Sequence, residues 1–88
     1  MEIEFDPEKA ASNLRKHRVS FAHAEQALRD PLGMTIQGPD SEGEPRFVTL
    51  GADSLGRILV VVHPPREDRV RIISARKASR NEARNYHA

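Results

Sequence analysis

RILVVVHPPREDRVRIISARK, residues 57–77, decides the fold of this chain. Arg57 to His63 is the most hydrophobic run, β-branched and apolar on both faces, as expected of a strand inside a sheet. Pro64-Pro65 ends it, because proline donates no backbone hydrogen bond. Arg66 to Asp68 read as a polar turn, and Arg69 to Arg76 as the next strand. Alternation in that strand puts Val70, Ile72, Ser74 and Arg76 on one face, Arg69 and Arg71 on the other. Upstream, Glu44 to Gly51 alternates around Phe47 and reads as a strand closed by a turn over Ala52 to Gly56. Leu32 to Gln37 is a further strand, and the Gly, Pro, Asp and Ser of Gly38 to Gly43 mark a loop. Downstream, Ser79-x-x-Glu82 fits a capping box that opens a helix running to about Tyr86.

The N-terminal third reads as helical. Glu2 to Phe5 alternates like a short edge strand. Asp6 is an N-cap with Pro7 at the first helical position. Ala10, Leu14 and Ala11 form a narrow apolar stripe, and Phe5 can close onto Ala10 as a hydrophobic staple. That helix is expected to end near His17, where Arg15, Lys16 and Arg18 suit a C-terminus. Ser20 caps a second helix whose Phe21, Ala24, Ala27 and Leu28 share one face, and Asp30-Pro31 stops it. The expectation is one α+β domain over residues 1–88: a small antiparallel sheet with an N-terminal helical hairpin and a C-terminal helix.

Eighty-eight residues suffice for one domain and not two. Hydrophobic content of 38% with 31% charged residues is a globular composition, not a disordered one. The absence of cysteine removes disulfides, a thiol nucleophile and a Cys-based zinc site, and fits a reducing compartment. The N-terminus is acidic, unlike a signal peptide, and the apolar run Ile58 to Val62 is too short to span a membrane, so a cytoplasmic location is expected. The net charge of +1 conceals an asymmetry: residues 1–45 carry five Lys/Arg against nine Asp/Glu, residues 46–88 nine against four. A basic half beside an acidic half suits a polyanion; a solvated charged surface is the plain alternative.

Arg76, Arg80 and Arg84 are spaced by four at a strand-to-helix junction, where unpaired backbone N–H groups and the dipole favour an anion. Arg71 is a further candidate for phosphate contact. Equally, these arginines can cover apolar surface or pair with Glu82. His63 is either a strand-end histidine or a general acid–base. Tyr86 is either a core-facing aromatic or a group that orients a phosphate. The four histidines show no HxxxH or HxxH spacing, and no phosphate loop, nucleophile elbow or dinucleotide fingerprint is present. Aromatic content of 5% without tryptophan argues against a base-stacking platform.

FDPEKAASNLRKHRVSFAHA (5–24), DPLG (30–33), SEGEPRF (41–47), GRILVVVH (56–63) and RVRIISARKASRNEARNYH (69–87) together resemble the BrnT family, small toxins of bacterial type II toxin–antitoxin systems. The resemblance spans nearly the whole chain. It implies a fold related to RelE-type ribonuclease toxins, an RNA-cleaving activity that blocks translation, and a cognate BrnA-like ribbon-helix-helix antitoxin through which operator DNA is contacted. The chain departs from the family pattern at Phe5 (often Trp), Arg18 (often Gly), Pro64 (often Thr) and Ala83 (often Arg).

Metal-free RNA cleavage needs a base for the 2′-OH, charge stabilisation at phosphorus and an acid for the 5′ oxygen. The candidates for the catalytic site are His63, Arg76, Arg46 and Tyr86, with Glu42 and Glu44 as alternative bases. Those for RNA binding are Arg57, Arg71, Lys77, Arg80 and Arg84. No metal or cofactor is expected. The competing reading is an inactive co-repressor subunit that only binds an antitoxin or nucleic acid.

Overall fold

The computed structural model describes residues 2–41, 43–66 and 68–88, with the backbone alone for Asp40 and Ser41. The elements run β1 (Glu2–Phe5), α1 (Pro7–His17), α2 (Phe21–Leu28), β2 (Met34–Ser41), β3 (Glu44–Ala52), β4 (Ile58–His63), β5 (Arg69–Ile72), β6 (Ser74–Lys77) and α3 (Arg80–His87). Four strands form an antiparallel sheet in the order β2-β3-β4-β6, and β1 pairs with β5 in a separate parallel ribbon.

The local rules that start the helices operate as their residues dictate. The Asp6 carboxylate accepts from the Glu8 N–H at 2.9 Å, with Pro7 following. The Ser20 hydroxyl accepts from the His23 N–H. At α3, Ser79 and Glu82 satisfy each other's backbone N–H groups in a complete capping box. β4 is central, as its two-sided apolar composition requires, and pairs with β3 through Val61↔Thr49 and with β6 through Val61↔Ala75. Phe21, Ala24 and Ala27 of α2 pack on Leu59, Val61 and Ala75, with Val19 and Ile72 completing the core. A Cβ on Gly51 would collide with the Ala27 carbonyl, so the bare glycine lets α2 sit directly on β3.

Four expectations need correction. Residues 69–76 are not one strand. The chain leaves β1 after Ile72, and the Ile73 N–H then bonds to the Val62 carbonyl at 2.9 Å to begin pairing with β4. This change of partner breaks the alternation, and Ile72 and Ala75 both enter the core. Second, β2 runs through Gly38 to Ser41, and only the tip beside Gly43, at φ 79°, turns. Third, α1 and α2 touch each other only lightly, and each packs mainly on the sheet: α1 along β6, α2 across β3 and β4. Fourth, Leu14 is 48% exposed and the buried residue of α1 is Asn13. Phe5 stands edge-on to Phe21 at 5.5 Å between ring centroids.

Candidate nucleic-acid interface

β6 delivers Arg76 and Lys77 to the head of α3. Arg76 meets Glu82 in a two-armed ion pair, Nη1 to Oε1 at 2.8 Å and Nη2 to Oε2 at 2.9 Å. The Arg76 bond, reinforced by the Ser79 N–H, pulls the Glu82 carboxyl down to about 2. Glu82 reciprocally raises the Arg76 value. Arg76 is therefore an oriented guanidinium already carrying one anion. Lys77, Arg80 and Arg84 are exposed and have no anionic partner among the described residues.

At the other end of α3, the Tyr86 hydroxyl donates to Asp30. Asp30 also accepts from the Leu32 N–H and, at 2.8 Å, from the Ala52 N–H. The tyrosine bond and then the Ala52 N–H hold the Asp30 carboxyl below its usual range, and Asp30 raises the Tyr86 hydroxyl. Tyr86 thus ties α3 to the α2–β2 junction and β3. In sequence Asp30 was legible only as a helix stop.

His63 occupies different ground. It is 7% exposed, and its Nε2 lies 2.8 Å from the Thr49 hydroxyl, itself 2.8 Å from that of Thr35. Burial lowers the histidine's value, so the ring is neutral. Its strand partner is Phe47, whose ring stands edge-on at 6.0 Å. Because facing residues share a side and neighbours alternate, His63 lies on the Leu59–Val61 side of the sheet. Arg46 and Arg76 lie on the opposite side, and Arg46 is roughly 13 Å along β3 from the row holding Arg76. The Arg46 Nε is buried without a hydrogen-bond partner among the described residues.

The remaining candidates lie apart from α3 or outside the described residues. Arg57 clasps the buried Asp53, Nε and Nη2 each 2.8 Å from Oδ2, and its Nη1 donates to the Arg18 carbonyl. Burial acts to raise the Asp53 carboxyl, but the Arg57 backbone and side-chain bonds hold it low. His23 joins the cluster through Nδ1 at 3.0 Å. Arg71 pairs with Glu4 at 3.4 Å across the β1–β5 ribbon, where the two are register partners. Glu44 is exposed on β3, while Glu42 lies outside the described residues. Sequence reading missed Asp53, Asn13 and Asp30. Asp53 four residues before Arg57 in a hairpin turn was the one signal available.

This geometry holds Arg76 in place beside the exposed Lys77, Arg80 and Arg84, while Arg57 near the core is neutralised. It is suited to an extended anion crossing the surface, where flexible lysines and arginines meet phosphates without a closed cavity. Among the described residues, no helix is long and apolar enough to cross a membrane.

Comparison with known proteins relates the chain to one family and to solved structures. A family model described as "Ribonuclease toxin, BrnT, of type II toxin-antitoxin system" matches residues 5–82. The crystal structure of the Brucella abortus ribonuclease toxin BrnT is similar, with a TM-score of 0.64 and 28% identity, covering 91% of this chain and 99% of that one. No curated protein matches. With the match extending from Phe5 through the α3 capping box, the chain belongs to the BrnT family of ribonuclease toxins of type II toxin–antitoxin systems.

Proposed function

We propose that this chain cleaves RNA without a metal ion, in the cytoplasm, and blocks translation until a BrnA-like ribbon-helix-helix antitoxin covers it. The RelE-type kinship of its fold is part of the same reading. The observation that carries it is the group of exposed cations Lys77, Arg80 and Arg84, without anionic partners among the described residues, beside the oriented Arg76. In the reaction the 2′ oxygen attacks phosphorus, the 5′ oxygen leaves, and one proton is removed at the first and one supplied at the second. Arg76 is assigned to charge on phosphorus, Arg46, farther along the sheet, to a neighbouring phosphate of the same strand, Tyr86 to positioning α3, and Lys77, Arg80 and Arg84 to the RNA backbone. Arg57 and Arg71, each held by a carboxylate, contribute only to the field. His63 cannot reach an RNA held at α3 directly. Its assignment as general acid–base requires a path over the β2 edge, where Thr35 is the exposed end of the His63–Thr49–Thr35 chain.

A second reading, a co-repressor without catalysis, is favoured by one feature: Arg57, Arg71 and Arg76 are all internally neutralised. Two assays separate the readings. The purified protein is incubated with a defined RNA in EDTA, and the protein is expressed in bacteria without an antitoxin. The toxin reading expects fragments ending in 2′,3′-cyclic phosphate and 5′-OH, and growth arrest, both lost in a folded Arg76→Ala variant. A strict metal requirement would sink the metal-free mechanism. Harmless expression without cleavage selects the co-repressor.

A further inference from the structure

α1 and the start of β6 enclose an open groove of about 150 Å³. α1 contributes Lys9, Ser12, Asn13, Lys16 and His17; the facing wall is Ile73-Ser74. The spacing i, i+3, i+4, i+7, i+8 puts all five on one helical face. That face would normally be the apolar one, yet here it carries two ammonium groups, an imidazole, a hydroxyl and an amide.

We propose that this groove binds a phosphodiester group of an RNA strand, with Lys9 and Lys16 as its charged ligands. Four observations carry the assignment. First, the lining contains no carboxylate, and Lys9, Lys16 and His17 have no ion pair among the described residues. The partly buried arginines elsewhere behave differently: Arg57 is matched by Asp53 and Arg71 by Glu4. Second, the floor is rigid. Asn13 spends both amide hydrogens, on the Val19 carbonyl at 2.9 Å and the Ala75 carbonyl at 2.8 Å, and accepts from the Ala75 N–H at 3.0 Å. It therefore fixes α1 against β6 and leaves Ser12, Ser74 and the cations to meet a ligand. Third, Lys9 and Lys16 are seven residues apart, roughly 10 Å along the axis. One phosphate midway lies within reach of both long side chains, which act as mobile point charges. Fourth, Lys16 stands in the last turn of α1, where its positive charge offsets the negative end of the helix dipole, and Lys9 extends the site toward the middle of the helix.

The choice of RNA among phosphate ligands rests on the ribonuclease reading above. The groove lies beside the start of β6, and Lys77 and Arg80 stand at its end and just beyond, so a strand running along β6 meets positive charge at both ends. An acidic peptide segment is the competing occupant.

The test uses the double variant Lys9→Gln/Lys16→Gln in the full chain, with circular dichroism and thermal melting to establish folding. Binding of a fluorescein-labelled single-stranded RNA is followed by anisotropy in EDTA at several salt concentrations. The expected result is an affinity about tenfold lower at 0.1 M salt, with the log–log salt slope shallower by about 0.7 for each phosphate no longer neutralised. Amide shifts at Ser12 and Ser74 on RNA addition should disappear in the double variant. Affinity within twofold of the parent and an unchanged slope overturn the proposal. Inorganic phosphate shifting these amides as strongly as the RNA at equal concentration overturns the backbone assignment in favour of a lone phosphate. An acidic peptide that shifts them when RNA does not overturns it as well. Failure here is distinguishable from failure of the ribonuclease reading. A parent that binds RNA with the full slope but never cleaves keeps the groove and loses the enzyme. A double variant that binds normally beside a parent that cleaves does the reverse.

Discussion

Glu82 accepts from both arms of Arg76 and from the Ser79 N–H, which accounts for a carboxyl held at about 2. A folded-state value below the unfolded one adds stability above the unfolded value and loses it as pH falls toward the folded value. The acid limb from the ordinary glutamate value of 4.5 down to about 2 therefore belongs partly to Glu82. The Arg76 side chain is 45% exposed and that of Glu82 32%, so solvent screening reduces the pair's worth to about 1 kcal/mol or less. His63 adds an earlier step of the same sign. Burial lowers its value, so stability falls as pH drops below 6.5. Thermal melts across pH 8 to 2 should show both declines. Glu82→Gln should flatten the lower one, and His63→Gln the upper. An unchanged profile in either variant would dissociate that residue from the decline. Arg18 has φ 59° at the C-cap of α1, a conformation that costs a residue with a Cβ. Its contact with Arg57 uses the carbonyl, not the side chain. Arg18→Gly should therefore stabilise by about 0.5 kcal/mol, raising the melting temperature by a few degrees.

At the scale of elements, α1 is held to β6 by one polar side chain. Asn13 completes the strand edge as a neighbouring strand would, offering an acceptor to the Ala75 N–H and donors to the Ala75 and Val19 carbonyls. Asn13→Ala leaves all three groups unpaired in a buried place, at a cost of about 2–4 kcal/mol. Asn13→Asp should be worse, because its carboxylate faces two carbonyls. Urea denaturation measures both; a loss under about 0.5 kcal/mol would mean that water replaces the amide. The helix starts were legible because capping is local: Asp6, Ser20 and Ser79 lie within a turn of the groups they satisfy. β4 was legible from its apolar run. The split at Ile73 was not, because Arg69 pairs with Glu2 and Ala75 with Val61, and no local pattern encodes which partner a strand takes. Nor was Asn13, whose hydrogen bonds with Ala75 join residues 62 apart.

The whole molecule has one core shared by two pieces of sheet. Ile72, 1% exposed, ends β5 and joins the α2 contacts on β4 and β6, with Ile3 of β1 packed against the same cluster. Ile72→Ala should cost about 2–5 kcal/mol. For a chain this small that is a large part of the total, roughly 5–15 kcal/mol. Calorimetry should show one transition at lower temperature, because ribbon and sheet have no separate cores. Two transitions would show that β1–β5 folds independently. Charge follows the same logic. Sequence shows an excess of positive residues after position 45, but folding sorts them: Arg57, Arg71 and Arg76 find carboxylates, while Lys77, Arg80 and Arg84 find none among the described residues. The groove beside α1 draws on lysines that lie in the acidic half and carried no phosphate expectation in the linear reading.

Residue order alone settled what depends on neighbours a few positions away: an α+β chain, its helix caps, the central strand, and the string of motifs that marks the BrnT family over residues 5–82. Tertiary structure alone decided which cations remain available, that His63 lies on the opposite side of the sheet from Arg46 and Arg76, and that residues 69–77 divide between two sheets. The physical reason is range. Capping and alternation act over a few residues, whereas ion pairing and strand choice depend on groups that meet only after the chain has closed loops of up to 67 residues, as Arg71 does with Glu4.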